Sequence, residues 1–384
     1  MEFDPYSDVF FEDPYETYRW LRDEAPVYRN DHYGFYALSR YEDVVAAHRD
    51  WQTFTSTHGI TIDMLTDPRG RDMARGSIIF MDPPDHDRLR NLVSRVFTPK
   101  AVAELEPMIR RLVNHYLDAL DGPEFDLVAD FSAPFPVEVI SEILGVPEAD
   151  RQQIRHWTDA LLQREPGNPK PTQVGIEAML NQVGYLFELA GEKRRHPAPD
   201  MLSALVETGL SDEEVAGFAG LLAAAGSETV TKQVGNGVVL FARNPQEWAK
   251  VCGDRDLLVP AAEEILRYWA PSQYQGRFST AETEWHGVTI PADQPVILIT
   301  GAANRDERAY ADPDRFDVTR PLKLNVGFGH GIHTCLGAAL ARLETRIAFD
   351  EIANRWPDYE VDEAGCRRVN MSNVAGYCNV PVSV

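Results

Sequence analysis

From Ser211 to Arg243 the chain reads as one unbroken helix, stopped by Asn244-Pro245. Ser211 and Glu214 stand three residues apart and form a capping box, in which both side chains satisfy backbone N–H groups of the first turn. At ~1.5 Å per residue the run spans about 50 Å, enough to cross a domain of this size.

The rest of the pattern is helix-rich as well. Helices are predicted over Ala101–Leu120, Phe135–Leu144, Glu148–Gln163, Gln173–Arg195 and Pro260–Trp269. Pro136 falls in a first turn, where a missing N–H does no harm. Gly34–Leu38 reads as a strand and Ser39–His48 as a helix capped by Ser39. Pro166-Gly167-Asn168-Pro169-Lys170-Pro171 cannot be helical, since three prolines remove donors and fix φ, and leaves a loop over 164–172. Glu284-Trp285 and Val288–Ile290 flank a His286-Gly287 turn, and Val296–Thr300 follows a second turn at Pro291-Ala292-Asp293. A glycine-rich loop at 327–337 leads into a closing helix that ends near Asn354. The fold class is mostly α with a minor β-sheet. With no repeat, low-complexity tract or long linker, 1–384 reads as a single domain.

A net charge of -23 argues against nucleic acid and anionic membrane surfaces as partners, because both would repel the chain. No stretch approaches the roughly 18 apolar residues of a membrane span, and Met1–Tyr6 lacks the basic and apolar regions of a signal peptide. A cytoplasmic location is expected. Cys252, Cys335, Cys366 and Cys378 have no paired spacing, so neither a disulfide framework nor a zinc site is indicated. Any special role belongs to one thiol.

That thiol is Cys335, in Phe328-Gly329-His330-Gly331-Ile332-His333-Thr334-Cys335-Leu336-Gly337. A lone cysteine is more often a small buried hydrophobe than a ligand. Here Gly329 and Gly331 allow turns closed to other residues, and the sulfur precedes a helix whose N-terminal amides favour an anion. Gly337 removes a side chain where a flat macrocycle could press close. The decapeptide resembles the haem-binding loop of the cytochrome P-450 family, Phe-x-x-Gly-x-x-x-Cys-x-Gly, at Phe328, Gly331, Cys335 and Gly337. The following Ala338–Glu344 segment is similar to the bacterial branch. The resemblance covers nearly the whole chain. It implies heme b with Cys335 as metal ligand, a long central helix over the haem, and Phe328 and Gly337 in contact with the cofactor. A thiolate pushes electron density onto iron and favours O–O cleavage.

Further residues take their roles from the same resemblance. Ala225-Gly226-Ser227-Glu228-Thr229 is similar to the oxygen-activation motif of the family. Gly226 leaves room for O2, the Thr229 hydroxyl meets the oxygen or a water, and Glu228 relays protons. Taken alone, these small residues would equally suit close helix packing. Glu264 and Arg267 share a helix face and resemble the family's buried Glu-x-x-Arg pair, with Arg315 of Pro313-Asp314-Arg315-Phe316 as the implied third member. His86, Arg90, Arg277 and His333 match the propionate partners. Leu221, Ala224, Gln273, Tyr274, Asn373 and Val374 are the implied pocket lining, with 164–172 as a lid and the Thr55–Ile79 region beside it.

The implied activity is a monooxygenase that inserts one atom of O2 into a C–H bond of a small apolar substrate. Electrons are expected from an external ferredoxin and ferredoxin reductase. Such donors are usually acidic, so Arg88, Arg95, Arg342 and Arg346 are candidates for a basic docking patch; ordinary solvated helix faces would look the same. Two rivals keep the haem: atypical chemistry such as oxidative coupling or peroxide-driven turnover, and a sensor without turnover. The Glu228-Thr229 pair weighs against both.

Overall fold

The computed structural model describes residues 1–67, 77–165, 167–168, 170–321 and 323–384. Part of the Thr55–Ile79 region, Pro166 and Pro169 of the loop expected to act as a lid, and the Arg95 side chain lie outside the described residues.

The main helices are α1 (Tyr41–Arg49), α2 (Asp85–Val93), α3 (Glu106–Asp118), α4 (Pro134–Leu144), α5 (Arg151–Leu162), α6 (Gln173–Arg195), α7 (Asp212–Arg243), α8 (Leu258–Tyr268) and α9 (Ala338–Arg355). The capping box predicted for α7 is present, and Asp212, Glu213 and Glu214 place negative charge on its positive end. From Val230 to Phe241 every residue of α7 is buried. A helix buried on all sides lies in the interior of its protein. Helices α4, α5, α6, α8 and α9 all pack against it. Full burial of Val234 or Val238 contributes roughly 1.5–3 kcal/mol each. Gly237 is required for this closeness, since a Cβ there would collide with Phe349 of α9 and sit 2.7 Å from Ile265 of α8.

A five-stranded sheet flanks the helices: β1 (Val27–Asn30), β2 (Phe35–Leu38), β3 (Phe54–Thr55), β4 (Gln275–Ser279) and β5 (Pro295–Leu298), in the order β1-β2-β5-β4-β3. Only β2 and β5 pair in parallel. The register sets Arg277 opposite Val296 in mid-strand. The predicted hairpin forms at Thr283–Trp285 and Val288–Ile290. Its turn residues His286 (φ 51°) and Gly287 (φ 77°) are both left-handed, as a two-residue hairpin turn demands.

Some boundaries differ from expectation for identifiable reasons. α1 begins at Tyr41, and its cap is not Ser39 but Asp306, whose Oδ2 accepts the Tyr41 N–H at 2.8 Å. The predicted Ala101–Leu120 helix splits into Pro99–Ala103 and α3, because Pro107 cannot occupy a helix interior and instead opens the second segment. A 3₁₀ turn at Glu148–Asp150 precedes α5. Among the described residues, no helix is long and apolar enough to cross a membrane.

Candidate functional site

The cysteine loop is folded by its glycines. Gly329 (φ 66°) and Gly331 (φ 70°) are left-handed, and a Cβ on Gly331 would strike the His48 carbonyl of α1. The Cys335 N–H donates to Phe328 O at 2.8 Å, closing the loop. Gly337 caps α9 and faces open space, as expected for a surface that receives a flat group. Cys335 lies deep in the molecule, yet its side chain is open rather than packed. Burial pushes its thiol pKa up, opposed by the Gly337 N–H and the Arg90 and Arg342 guanidiniums.

Behind the loop, Glu264 and Arg267 of α8 are buried and paired at 2.7 Å. Arg267 also donates to the carbonyls of Asn304 at 3.0 Å and Pro313 at 2.8 Å. Asn304 in turn accepts the Val326 N–H at 2.8 Å, so the chain of bonds reaches the start of the cysteine loop. The third member is Arg320, not Arg315. Arg320 Nε donates to Glu264 Oε1 at 3.2 Å, whereas the Arg315 side chain is 64% exposed and pairs with Asp312 and Asp317. Arg315 contributes only its carbonyl, which accepts from both Arg267 and Arg320.

The four predicted propionate partners gather at one place. His86 and Arg90 project from α2, Arg277 from β4 and His333 from the loop. The rings of His86 and His333 lie edge to face at 4.7 Å, and the Nε2 of each is buried without a partner. Burial, with Arg277 and His86 nearby, pushes His333 down to about 3. Arg277 is buried, with its guanidinium on Gly276 O at 2.7 Å and 3.4 Å from His48 Nδ1. Burial lowers it to about 10, with Asp82 acting the other way. Arg90 donates to Thr334 O at 2.8 Å, and burial lowers its pKa, against Cys335. Buried cations and orphaned imidazole nitrogens in one cluster suit a group bearing carboxylates. His48 was not foreseen; nothing in the α1 pattern distinguishes it, and its role appears only once α1 meets the loop.

On α7, Ala225 is exposed in mid-helix, between buried Ala223 and buried Ser227. The Thr229 hydroxyl, partly open, donates to Ala225 O at 2.8 Å. Two expectations for this helix change. A Cβ on Gly226 would lie 3.2 Å from Ile140 Cγ1, so its missing side chain admits α4 rather than a gas molecule. Glu228 is buried and held by Lys232 Nζ at 2.9 Å, one helical turn on. That pair was legible as an i, i+4 spacing and was missed.

The pocket residues divide. Leu221 and Ala224 are half-buried on α7. Gln273 and Tyr274 are wholly buried and do not line the pocket. Gln273 accepts from Tyr18 OH at 3.0 Å and donates to Ala270 O at 2.6 Å, while Tyr274 packs in a cluster with Phe10 and Ile62. Asn373 donates to Tyr274 O at 2.8 Å, and Val374 packs with Val369, Met371 and Leu162. The 164–172 loop is tied at its start: Arg164 N–H donates to Asn370 O at 2.7 Å, its side chain pairs with Asp63 at 3.2 Å, and Gly167 N–H donates to Tyr6 O at 2.9 Å. Three of the arginines expected to form a docking patch are already matched by acids, Arg88 by Glu214, Arg342 by Glu263 and Arg346 by Glu106.

Comparison with known proteins decides the family. A family model described as cytochrome P-450 matches residues 188–356. The putative cytochrome P-450 123 of Mycobacterium tuberculosis (strain H37Rv) is 40% identical over 390 residues, covering 99% of this chain and 96% of that protein. The chain belongs to the cytochrome P-450 family. The vitamin D(3) 25-hydroxylase of Pseudonocardia autotrophica is 37% identical over 402 residues, covering 99% of this chain and 96% of its own. The crystal structure of P-450 BioI in complex with hexadec-9Z-enoic acid ligated acyl carrier protein superposes with a TM-score of 0.90 at 33% identity, covering 98% of this chain and all of that one (100%). As a P-450, the protein is an oxidoreductase and monooxygenase that uses haem with an axial cysteine thiolate. The P-450 fold predicted from the resemblance is the fold observed. The cluster of buried donors and the open thiol fit that cofactor: one sulfur for the metal, and cationic and imidazole groups for two propionates.

Proposed function

We propose that Cys335 is the axial ligand of heme b, and that the enzyme inserts one oxygen atom of O2 into a C–H bond of a mainly apolar small molecule. The other atom leaves as water. What supports this reading most is the pairing of two open interior surfaces: the Cys335 thiol, and the mid-α7 segment carrying Ala225 and Thr229.

When bound, haem supplies the reductive activation of O2, aided by charge from the thiolate. The protein groups hold and move what surrounds it. His86, Arg90, Arg277 and His333 hold the propionates, and the network of Glu264, Arg267 and Arg320 keeps the cysteine loop in register. The Thr229 hydroxyl holds a proton at Oγ1, now directed to Ala225 O, and Glu228 resupplies it. Leu221 and Ala224 present an apolar wall to the substrate. The 164–172 loop closes the entrance and limits water. Electrons come from an external ferredoxin and its reductase.

The test begins with a ligand screen read by the low-to-high-spin shift of the Soret band. The best ligand is then incubated under ¹⁸O2 with the haem-loaded enzyme, a ferredoxin and its reductase. One labelled oxygen in the product is expected. An unlabelled oxidised product, or a product without added oxygen, would favour the atypical chemistries instead.

A further inference from the structure

His48 stands in the last turn of α1, buried and outside the four groups assigned to the propionates. Its ring meets Arg277 of β4 across 229 residues of chain, with Nδ1 3.4 Å from Nη2 of the guanidinium. A guanidinium can only donate, so Nδ1 accepts and the ring hydrogen sits on Nε2. That Nε2 is enclosed and has no partner among the described residues. The cysteine loop backs the ring from another side. A Cβ on Gly329 would lie 3.9 Å from His48 Cε1, and the His48 carbonyl fills the space beside Gly331.

Arg277 has little else to hold it. It is buried in mid-strand, and no ion pair to it forms among the described residues. Asp82, whose charge acts on it, is bonded instead to the Thr55 hydroxyl and the Ser56 N–H. Only two of the Arg277 N–H groups are engaged, one from Nη1 with Gly276 O at 2.7 Å and one from Nη2 with His48. The others have no protein acceptor among the described residues. Without His48, the bond to the adjoining carbonyl would be the one anchor of the guanidinium plane, and the plane could turn about it.

We propose that His48 is a positioning residue for the haem site: by accepting from Arg277, it fixes the guanidinium plane so that the unused N–H groups stay presented to a propionate. This rests on the haem reading above. An arginine aligned with a carboxylate makes two parallel bonds, and a turned one loses that match. In a buried site charge is weakly screened, so a poorly matched propionate leaves more negative charge near the iron. That charge favours the oxidised iron and lowers its reduction potential. Burial and the neighbouring Arg277, His330 and His333 also disfavour a proton on His48, which keeps Nδ1 open as an acceptor. His48 acts through Arg277 and not on the reacting atoms.

The experiment compares the haem-loaded wild type with three His48 variants and Arg277→Ala. His48→Asn keeps an acceptor near the place of Nδ1, His48→Gln puts its amide near the place of Nε2, and His48→Leu keeps neither. The readouts are the reduction potential from dye-monitored titration, the propionate bending band in resonance Raman spectra, and the rate of haem transfer to apomyoglobin. His48→Leu and His48→Gln should lower the potential, shift the band and speed haem transfer several-fold, in the direction of Arg277→Ala. His48→Asn should stay close to wild type in all three. Lost packing alone would speed haem transfer in every His48 variant without moving the potential or the band. That result, or rescue by Gln rather than Asn, overturns the role of Nδ1. If Arg277→Ala moves the potential and the band while no His48 variant does, the positioning role fails and the propionate assignment stands. If Arg277→Ala itself changes nothing, that assignment fails and the proposal falls with it.

Discussion

Arg267→Ala separates the network observed from the one predicted. Arg267 is buried, forms both bonds of the Glu264 pair, and supplies donors to the carbonyls of Asn304, Pro313 and Arg315. Its removal leaves Glu264 with Arg320 and the Asp317 N–H, and strands the carbonyls of Asn304 and Pro313, while that of Arg315 keeps its bond from Arg320. Breaking a buried pair from one side costs about 3–5 kcal/mol. Unfolding entropy of about 2.1 cal/mol/K per residue over 384 residues gives about 0.8 kcal/mol/K, so the melting temperature should fall by about 4–6 °C. Arg315→Ala removes only an exposed side chain paired with Asp312 and Asp317, and should cost less than about 0.5 kcal/mol. Arg320→Ala should fall between the two. Thermal unfolding of the haem-loaded variants by circular dichroism at 222 nm measures all three. If Arg315→Ala destabilised the protein as much as Arg267→Ala, the assignment of Arg320 as third member would be wrong.

Other perturbations test separate parts of the site. Gly331→Ala adds left-handed strain of about 1–2 kcal/mol and a clash with the His48 carbonyl, so haem retention during gel filtration should fall sharply. Burial first, then Arg277, His330 and His333, hold the His48 pKa well below the ordinary histidine value of 6.5. The unfolded chain therefore binds this proton first, and His48 favours folding less as pH falls below about 6.5. Denaturant titrations at pH 7 and pH 5 should show a smaller loss for His48→Gln than for wild type. Tyr274→Phe should leave spin-shift ligand affinities unchanged, since its ring packs in the core, while Ala224→Leu should weaken them; the reverse order would restore Tyr274 to the pocket.

The parts legible in the sequence were those specified by local rules. The α7 capping box, the His286-Gly287 turn, the glycine-permitted loop and the α6 boundaries all follow from residues close together in the chain. Contacts made across the chain were not legible. Arg320 pairs with Glu264 over a separation of 56 residues, and the Asp306 cap of α1 comes from 265 residues away. Gln273 and Tyr274 were misplaced for a related reason: a residue near a pocket in sequence position can point either way, and here Tyr18 and Phe10 draw both into the N-terminal core.

The carbon-monoxide difference spectrum of the reduced, haem-loaded protein tests the central assignment most directly. Wild type should show the band at the wavelength that gives the family its name, and Cys335→His should bind haem without it. A wild type lacking that band, or a Cys335→His variant retaining it, would mean that the iron is held by something other than the sulfur of Cys335.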